Sequence, residues 1–387
     1  MANQQPSSWL LEVHDSVLSQ CMLFELPPRL LGLVAVVCVK LRSCAADAVL
    51  LRARLEGLER RDGESLSGLL FAMHVLSPTT MTTWGPLCNV VCGMDHVAII
   101  SSEGELFTFG DGRSGKLGHG SEEDELVARR VEVLVGKRVT QVSCGGYHHT
   151  AVITLDGELH TFGYGHYGQL GHGGVVNEWV PRRVEALVGK CVVQVSCGHY
   201  HTAVVTSTGE LFTFGQGRYG KLGHDTQNNE WVPRRVEALV GKRVVQVSCG
   251  EKHTAVVTSG GGLLTFGLGI SGQLGHGDKK DGSEPQRVET LVGKRVVQVA
   301  CCYHHTAVVT SIGELLTFGE GVYGQLGHSG YEDELAPRRV EALAEKCVVR
   351  VACGSTHIVI ITSTGELLTF GDGEVGLPQQ LEALMVT

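Results

Sequence analysis

Residues Val192 to Leu239 read VVQVSCGHYHTAVVTSTGELFTFGQGRYGKLGHDTQNNEWVPRRVEAL. The stretch opens on a β-branched run that ends in Cys-Gly, and that step recurs through the chain. Equivalent cysteines stand at Cys92, Cys144, Cys197, Cys249, Cys301 and Cys353, with spacings of 52, 53, 52, 52 and 52 residues. In the fifth copy the Gly is replaced by Cys302. A repeat this regular decides the fold before any single residue does. Each unit must bury its apolar face against the next one. A side chain found in every copy then reads as scaffold, and function is sought where the copies differ.

Each unit reads as four short strands. The first is Val192–Cys197, rich in β-branched residues. The second, His201–Thr206, is joined through Ser207-Thr208-Gly209-Glu210, a hairpin turn, to a third at Leu211–Phe214. A Gly-rich loop leads to the expected fourth strand, Arg235–Leu239, introduced by Pro233. Proline suits an outer edge, where a missing amide donor is tolerated. Four antiparallel strands in each of six copies predict an all-β chain, a β-propeller. Helical solenoids are excluded by the period-2 pattern. The paired glycines of kelch repeats are not laid out this way.

The pattern CGxxHT…GELxTFGxGxxGQLGH strongly resembles the repeat of the regulator of chromosome condensation family, in every copy and over about 300 residues. That resemblance implies a propeller, typically of seven blades, here over residues 78–387. Six copies of about 52 residues are visible, and the sixth is shortened: Gly371-Asp372-Gly373-Glu374-Val375-Gly376 runs straight into Leu377-Pro378. A strand-like piece, Pro78 to Thr83, precedes the first copy. Closure with six blades and closure with seven are both open at this stage.

Composition is that of a folded globular chain, 43% hydrophobic and 19% charged. The net charge of −9 argues against general DNA binding, which needs a concentrated basic footprint. The repeat cysteines occupy rotated copies of one position, where disulfide geometry is not expected, so reduced buried thiols are predicted. No CxxC pair marks a zinc site. The start MANQQPSSWLLEVHD lacks the basic region of a signal peptide. The longest apolar run, Leu30 to Val39, is too short for a bilayer span of about 20 residues. These features predict no membrane association and a cytoplasmic or nuclear protein.

Several motifs look chemical and are better read as scaffold. Gly110-x-Gly112-x-x-Gly115-Lys116 approaches a P-loop, but Leu117 stands where Ser or Thr would hold magnesium. The string recurs in four further copies, and five phosphate cradles have no purpose, so these glycines are expected to supply positive φ in a loop. Eleven of eighteen histidines fall at two repeat positions, His96, His149, His201, His253, His305 and His357, and His119, His172, His224, His276 and His328. A ring of copies is not a metal or acid–base site, and bonding to backbone is expected. No nucleophile–base constellation stands apart from the repeats, so no enzyme activity, cofactor or metal is predicted.

Differences between copies are more telling. The residues between Cys-Gly and His-Thr vary, and Tyr147, His199, Tyr200, Lys252, Tyr303 and His304 are predicted to form a partner-binding rim. Trp179 and Trp231 read as outer-edge packing. The acidic loops Ser121–Glu125 and Tyr331–Glu334 precede paired arginines, Arg129-Arg130 and Arg338-Arg339, and predict local charge pairing.

Residues 8–58 differ in kind: Gly-poor, Leu-, Ala-, Val- and Arg-rich, with helical spacing. Helices are predicted around Leu18, over Leu30–Ser43 after Pro27-Pro28, and over Ala46–Leu58. Residues 59–77 read as a linker. The segment resembles an F-box through Asp15-x-Val17-Leu18, Leu26-Pro27-Pro28-Arg29-Leu30-Leu31, Val37-Cys38-x-Lys40 and Leu50-Leu51-Arg52. Val13-His14 replaces the usual Leu-Pro, and Leu41 the usual Trp. The resemblance implies that Leu18, Leu26, Pro27, Leu30, Val37, Cys38 and Leu41 present an apolar face to a Skp-type adaptor and so to a cullin ubiquitin ligase. A helical cap on the propeller is the plainer reading.

Two functions follow. One is a non-catalytic substrate receptor that links a client protein to the ligase. The other, implied by the propeller family, is guanine-nucleotide exchange on a Ran-like small GTPase. The even repeat spacing leaves no room for the inserted hairpin wedge which that family uses for exchange. The family's ultraviolet photoreceptor needs clustered Trp in the rim positions, and none of the four Trp lies there.

Overall fold

The computed structural model describes residues 89–371 and 378–380, and within them the chain forms six four-stranded antiparallel sheets. Blade 1 is β1 (Asn89–Cys92), β2 (His96–Ile100), β3 (Leu106–Gly110) and β4 (Glu125–Arg130). Blade 2 is β5 (Val139–Gly145), β6 (His149–Thr154), β7 (Leu159–Gly163) and β8 (Glu178–Arg183). Blade 3 is β9 (Val192–Cys197), β10 (His201–Thr206), β11 (Leu211–Gly215) and β12 (Glu230–Arg235). Blade 4 is β13 (Val244–Cys249), β14 (His253–Thr258), β15 (Leu263–Gly267) and β16 (Gly282–Arg287). Blade 5 is β17 (Val296–Cys302), β18 (His305–Thr310), β19 (Leu315–Gly319) and β20 (Glu334–Arg339). Blade 6 is β21 (Val348–Cys353), β22 (His357–Thr362), β23 (Leu367–Gly371) and β24 (Gln379–Gln380).

The result is a six-bladed β-propeller. The first strand of every blade lines one central channel. At its mouth Ser355 Oγ of blade 6 lies 3.3 Å from Met94 Sδ of blade 1. The F-box-like segment, its adaptor-facing residues, the linker and the Pro78–Thr83 piece lie outside the described residues.

Apolar burial between blades is supplied by the repeat itself. Val192, Val195 and Cys197 pack with Phe212 and Phe214 of their own blade and with Ala151, Ile153 and Leu159 of the preceding one. Phe162, Phe214, Phe266 and Phe318 are fully buried. Each sits under a glycine of the preceding blade's loop, and a Cβ on Gly171 would come within 2.9 Å of the Phe214 ring. That glycine is therefore needed for close approach as well as for its φ of +75°.

Polar side chains clasp the blades together in a repeated relay. His149 Nε2 lies 2.8 Å from Thr202 Oγ1 of the next blade, and Thr202 donates to the Gln169 carbonyl at 2.7 Å. The Thr proton is spent on the carbonyl, so its oxygen accepts from the imidazole N–H, which fixes the tautomer. The same relay joins His96 to Thr150 and the Lys116 carbonyl, His201 to Thr254 and the Lys221 carbonyl, and His253 to Thr306 and the Gln273 carbonyl. These histidines and threonines are fully buried. The expected bond from His to backbone is thus corrected: a Thr hydroxyl stands between the two. The second histidine set works within one blade, as His224 meets Thr213 at 2.9 Å and Thr213 donates to the Leu222 carbonyl at 2.6 Å.

Burial pushes the His149, His253 and His305 pKa values down to about 3. The cysteine thiols move the other way, with Cys197, Cys249 and Cys301 raised by burial to about 12. None of the nine cysteines among the described residues forms a disulfide.

Two local expectations change. The fourth strand is Glu230–Arg235, with Pro233 inside it, and Glu237–Leu239 is a 3-10 turn that buries Leu239. Proline is accepted because this outermost strand has a neighbour on one side only. In the Gly-rich loop the first and third glycines have positive φ, as at Gly215 and Gly220, but Gly217 has a φ of −92°. Gly217 is required for space, since a Cβ there would lie 1.8 Å from the Asn228 carbonyl oxygen. The paired charges are local, as expected: Glu230 with Arg234 at 2.6 Å, and Glu125 with Arg129.

Thr202→Val keeps the shape but orphans the His149 N–H and the Gln169 carbonyl, at a cost of about 2–4 kcal/mol. Urea unfolding of the two proteins checks this. A second outcome concerns pH. The clasp imidazoles stay neutral when folded and ionise when unfolded, so the unfolded chain binds more protons between about pH 6.5 and pH 3. Stability is full above that window and falls as pH drops through it. Urea midpoints measured across the range should show a progressive loss, which Thr-to-Val variants do not remove.

Candidate functional site

The inner strand and the second strand of each blade are joined at the channel mouth by the short segment after Cys-Gly. Because this loop carries no scaffold duty, its side chains are free to vary, and they meet across blades. Glu251 of blade 4 is the hub. Its carboxylate lies 2.9 Å from His304 Nε2 of blade 5, 2.7 Å from Lys252 Nζ and 3.6 Å from His199 Nδ1 of blade 3. Its backbone N–H donates to the Tyr303 carbonyl at 3.3 Å. Burial alone would raise the Glu251 pKa, but the His304 and Lys252 hydrogen bonds outweigh it and hold the carboxyl at about 2. His199, largely buried, is pushed down to about 4, with Glu251 opposing the shift.

Aromatic rings extend the cluster. His199 and Tyr303 stand edge-to-face at 5.4 Å, so blades 3 and 5 touch in front of blade 4. Tyr147 of blade 2 approaches His199 at 6.0 Å. His148 stacks on Tyr200 at 4.2 Å, and Tyr167 meets Tyr200 at 5.0 Å. Blade 2 carries one extra residue here, Gly146, and a Cβ on it would sit 2.5 Å from His199 Cδ2. Tyr303 holds a φ of +32°, a conformation a non-glycine residue occupies at a cost of about 1–3 kcal/mol. Its neighbour Cys302 stands where the other blades have Gly.

The structure therefore brings together all six residues predicted for the rim: Tyr147, His199, Tyr200, Lys252, Tyr303 and His304. The six predicted contacts do not include the centre, Glu251, although it stands in the same variable segment as Lys252, nor the flank. Tyr164 and Tyr167, and farther round Ile270, Val322 and Tyr323, come from the Gly-rich loops, whose ends lie beside the same mouth because Gly215 pairs with His201 in register. Ile270 is 57% exposed and Val322 53%. The signal was present: these are the variable positions inside GxGxxG. Lys221, buried on the same side, donates to Gln216 Oε1 at 2.6 Å, and burial pushes its amine down to about 7. The predicted outer-edge packing of Trp179 and Trp231 holds in part. Their backbones seat Gly115 and Gly168 of the preceding blade, while Trp179 is 48% exposed.

Among the described residues no three His, Cys, Asp or Glu side chains converge to hold a metal ion, and no helix is long and apolar enough to cross a membrane. The mouth is instead a shaped surface of rings around one half-buried carboxylate, suited to binding.

Residues 60–302 match the RCC1-like domain, and residues 313–361 and 348–376 match the regulator of chromosome condensation (RCC1) repeat. The chain belongs to the RCC1 family. It is 35% identical over 324 residues to the ultraviolet-B receptor UVR8 of Arabidopsis thaliana, covering 80% of this chain and 73% of that protein. It is 37% identical over 273 residues to the human E3 ubiquitin-protein ligase HERC2, covering 70% of this chain but only 6% of HERC2. Among solved structures, human WBSCR16 superposes with a TM-score of 0.69 at 24% identity, over 78% of this chain and 83% of that one. Yeast RCC1 (Prp20), crystallised bound to Kap60, superposes with a TM-score of 0.67 at 18% identity, over 77% and 75%. The RCC1 scaffold accounts for the repeated side chains. The mouth residues lie where the copies within this chain differ from one another. Trp179 and Trp231, the tryptophans among the described residues, lie on β8 and β12, away from the mouth.

Glu251→Gln keeps the shape of the hub and removes its charge. At pH 7 the variant is expected to lose about 1–3 kcal/mol. The wild-type advantage is fully present above about pH 4.5 and shrinks as pH falls toward 2, where its own carboxyl protonates. Urea midpoints of both proteins at neutral and acid pH check the difference.

Proposed function

We propose that this RCC1-family chain is a non-catalytic protein-interaction propeller that captures a partner at the channel mouth, and that residues 8–58 tether it to a ubiquitin ligase. The observation that supports the capture surface is the Glu251 cluster. Four consecutive blades contribute their most variable residues to one contiguous patch of tyrosine, histidine and charge. Tyrosines around a half-buried ion pair are close to the composition of a binding hot spot. Partly exposed rings at its edge offer contact area at low entropic cost.

The tether rests on the F-box resemblance of residues 8–58, with Leu18, Leu26, Pro27, Leu30, Val37, Cys38 and Leu41 as the face for a Skp-type adaptor. One similar protein, HERC2, is itself named an E3 ubiquitin-protein ligase, although the likeness spans a small part of it. The second reading is binding or regulation of a Ran-like small GTPase. Prp20p of Saccharomyces cerevisiae, which shares the fold, has binding properties to Gsp1p and histones.

Affinity purification with mass spectrometry separates these readings, using the full chain, Tyr303→Ala/His304→Ala, and Leu26→Glu/Leu30→Glu. The expected result is an adaptor and cullin lost only from the leucine variant, and a client lost only from the rim variant. A small GTPase retained by the leucine variant, with no ligase subunit on any bait, would replace the ligase reading with the GTPase one. A client retained by the rim variant would remove the mouth as the capture surface.

A further inference from the structure

The turn between the second and third strands carries a carboxylate that ties three elements together. In blade 3, Glu210 lies 3.2 Å from Lys190 Nζ, on the connection entering the blade, and 3.3 Å from Arg235 Nη1 on the outer strand. Blade 2 repeats this with Glu158, Lys137 and Arg183, at 2.7 and 3.0 Å. Blade 5 repeats it with Glu314, Lys294 and Arg339, at 2.5 and 3.5 Å. Glu105 with Arg130 in blade 1 and Glu366 with Lys346 in blade 6 keep half of the bridge.

Blade 4 keeps both cations and loses the acid. Lys242 and Arg287 occupy the Lys190 and Arg235 positions, but the turn reads Ser259-Gly260-Gly261-Gly262. Among the described residues no carboxylate lies within ion-pairing distance of either cation. Their surroundings differ accordingly. Arg287 is exposed, whereas Arg130, Arg183, Arg235 and Arg339 are half-buried. Thr258, at the foot of the turn, is half-buried, whereas Thr154, Thr206 and Thr310 are buried. A Cβ added to Gly262 would lie 3.3 Å from the Thr258 hydroxyl and 4.0 Å from Arg287 Nε, and the residue's φ is not in the left-handed region, so a side chain fits there with a shift of a few tenths of an ångström in the threonine.

We infer that this notch is a receptor for a carboxylate supplied from outside: an aspartate or glutamate side chain of an acidic segment in a protein partner. The other blades show the geometry in which such a group is held, between an ammonium and a guanidinium. Arg presents a fork suited to carboxylate, and the flanking Lys242 adds a mobile point charge. The site lies at the end of β14 opposite His253, hence on the face away from the channel mouth. It is independent of the capture surface proposed above. The chain's net charge of −9 disfavours acidic peptides in general, so any affinity for one reports a local cationic site.

The test is fluorescence anisotropy of a labelled, end-capped hexaglutamate peptide titrated with the full chain at low salt. Wild type is expected to bind saturably. Gly262→Glu installs the acid that other blades carry, fills the notch from within, and should weaken binding about tenfold or more while leaving thermal stability equal or higher. Arg287→Gln should weaken binding similarly. Absence of saturable binding to wild type, or unchanged binding by a folded Gly262→Glu, would overturn the assignment. Displacement of the peptide by inorganic phosphate but not by acetate would overturn the choice of a carboxylate ligand.

Discussion

The propeller depends on a relay of two hydrogen bonds that crosses each of four blade boundaries: imidazole N–H to threonine hydroxyl, hydroxyl to backbone carbonyl. Sheets that pack face to face through valine and phenylalanine have little to fix their relative slide. The relay supplies that fix, because a buried threonine has one geometry in which both bonds are made. It also sets conditions on its neighbours. The histidine must be neutral, and the residue after the repeat cysteine must lack a side chain. A Cβ on Gly198 would lie 2.4 Å from His201 Nδ1. Glutamine side chains add a second tie around the channel, where Gln194 bonds the Val247 backbone through both its oxygen and its nitrogen.

The relay lapses at the boundary between blades 5 and 6. His305 faces Ile358 where the others face threonine, and its Nε2 is buried without a hydrogen-bond partner. The same blade carries Cys302 in place of glycine and Tyr303 with positive φ. These departures sit beside the Glu251 cluster, and they are the kind of local inconsistency that marks a site under a demand other than stability. The loops at the mouth are placed by a stiff ring and are themselves free of the relay, which is how a scaffold of near-identical blades carries an asymmetric surface.

Much of the fold was legible because the repeat is strict: strand order, hairpin turn, glycine loop and free cysteines follow from one 52-residue pattern. Two details were not. The pattern puts the strand containing Pro233 a few residues late, because Glu237-Ala-Leu239 reads as a strand end until its leucine is seen turning inward. The histidine–threonine relay was invisible because its partners are about 53 residues apart and meet only across a blade boundary. For the site, the variable rim residues were readable from their variation. Glu251 varies in the same segment but does not stand out as a contact, since a lone glutamate in a loop reads as solvated until His199, Lys252 and His304 are seen around it. The notch at Gly262 was an absence in one copy, apparent only when the glutamates of the other blades were seen bridging two cations.

The central claim is that repeated residues hold the ring and varied residues at the mouth hold the partner. Hydrogen–deuterium exchange of the full chain, alone and with its captured partner, tests it most directly. The account predicts new protection in the segments around Tyr147, Tyr200, Glu251 and Tyr303, with the outer strands β4, β8 and β12 unchanged. Protection confined to those outer strands, with the mouth segments unaltered, would contradict it.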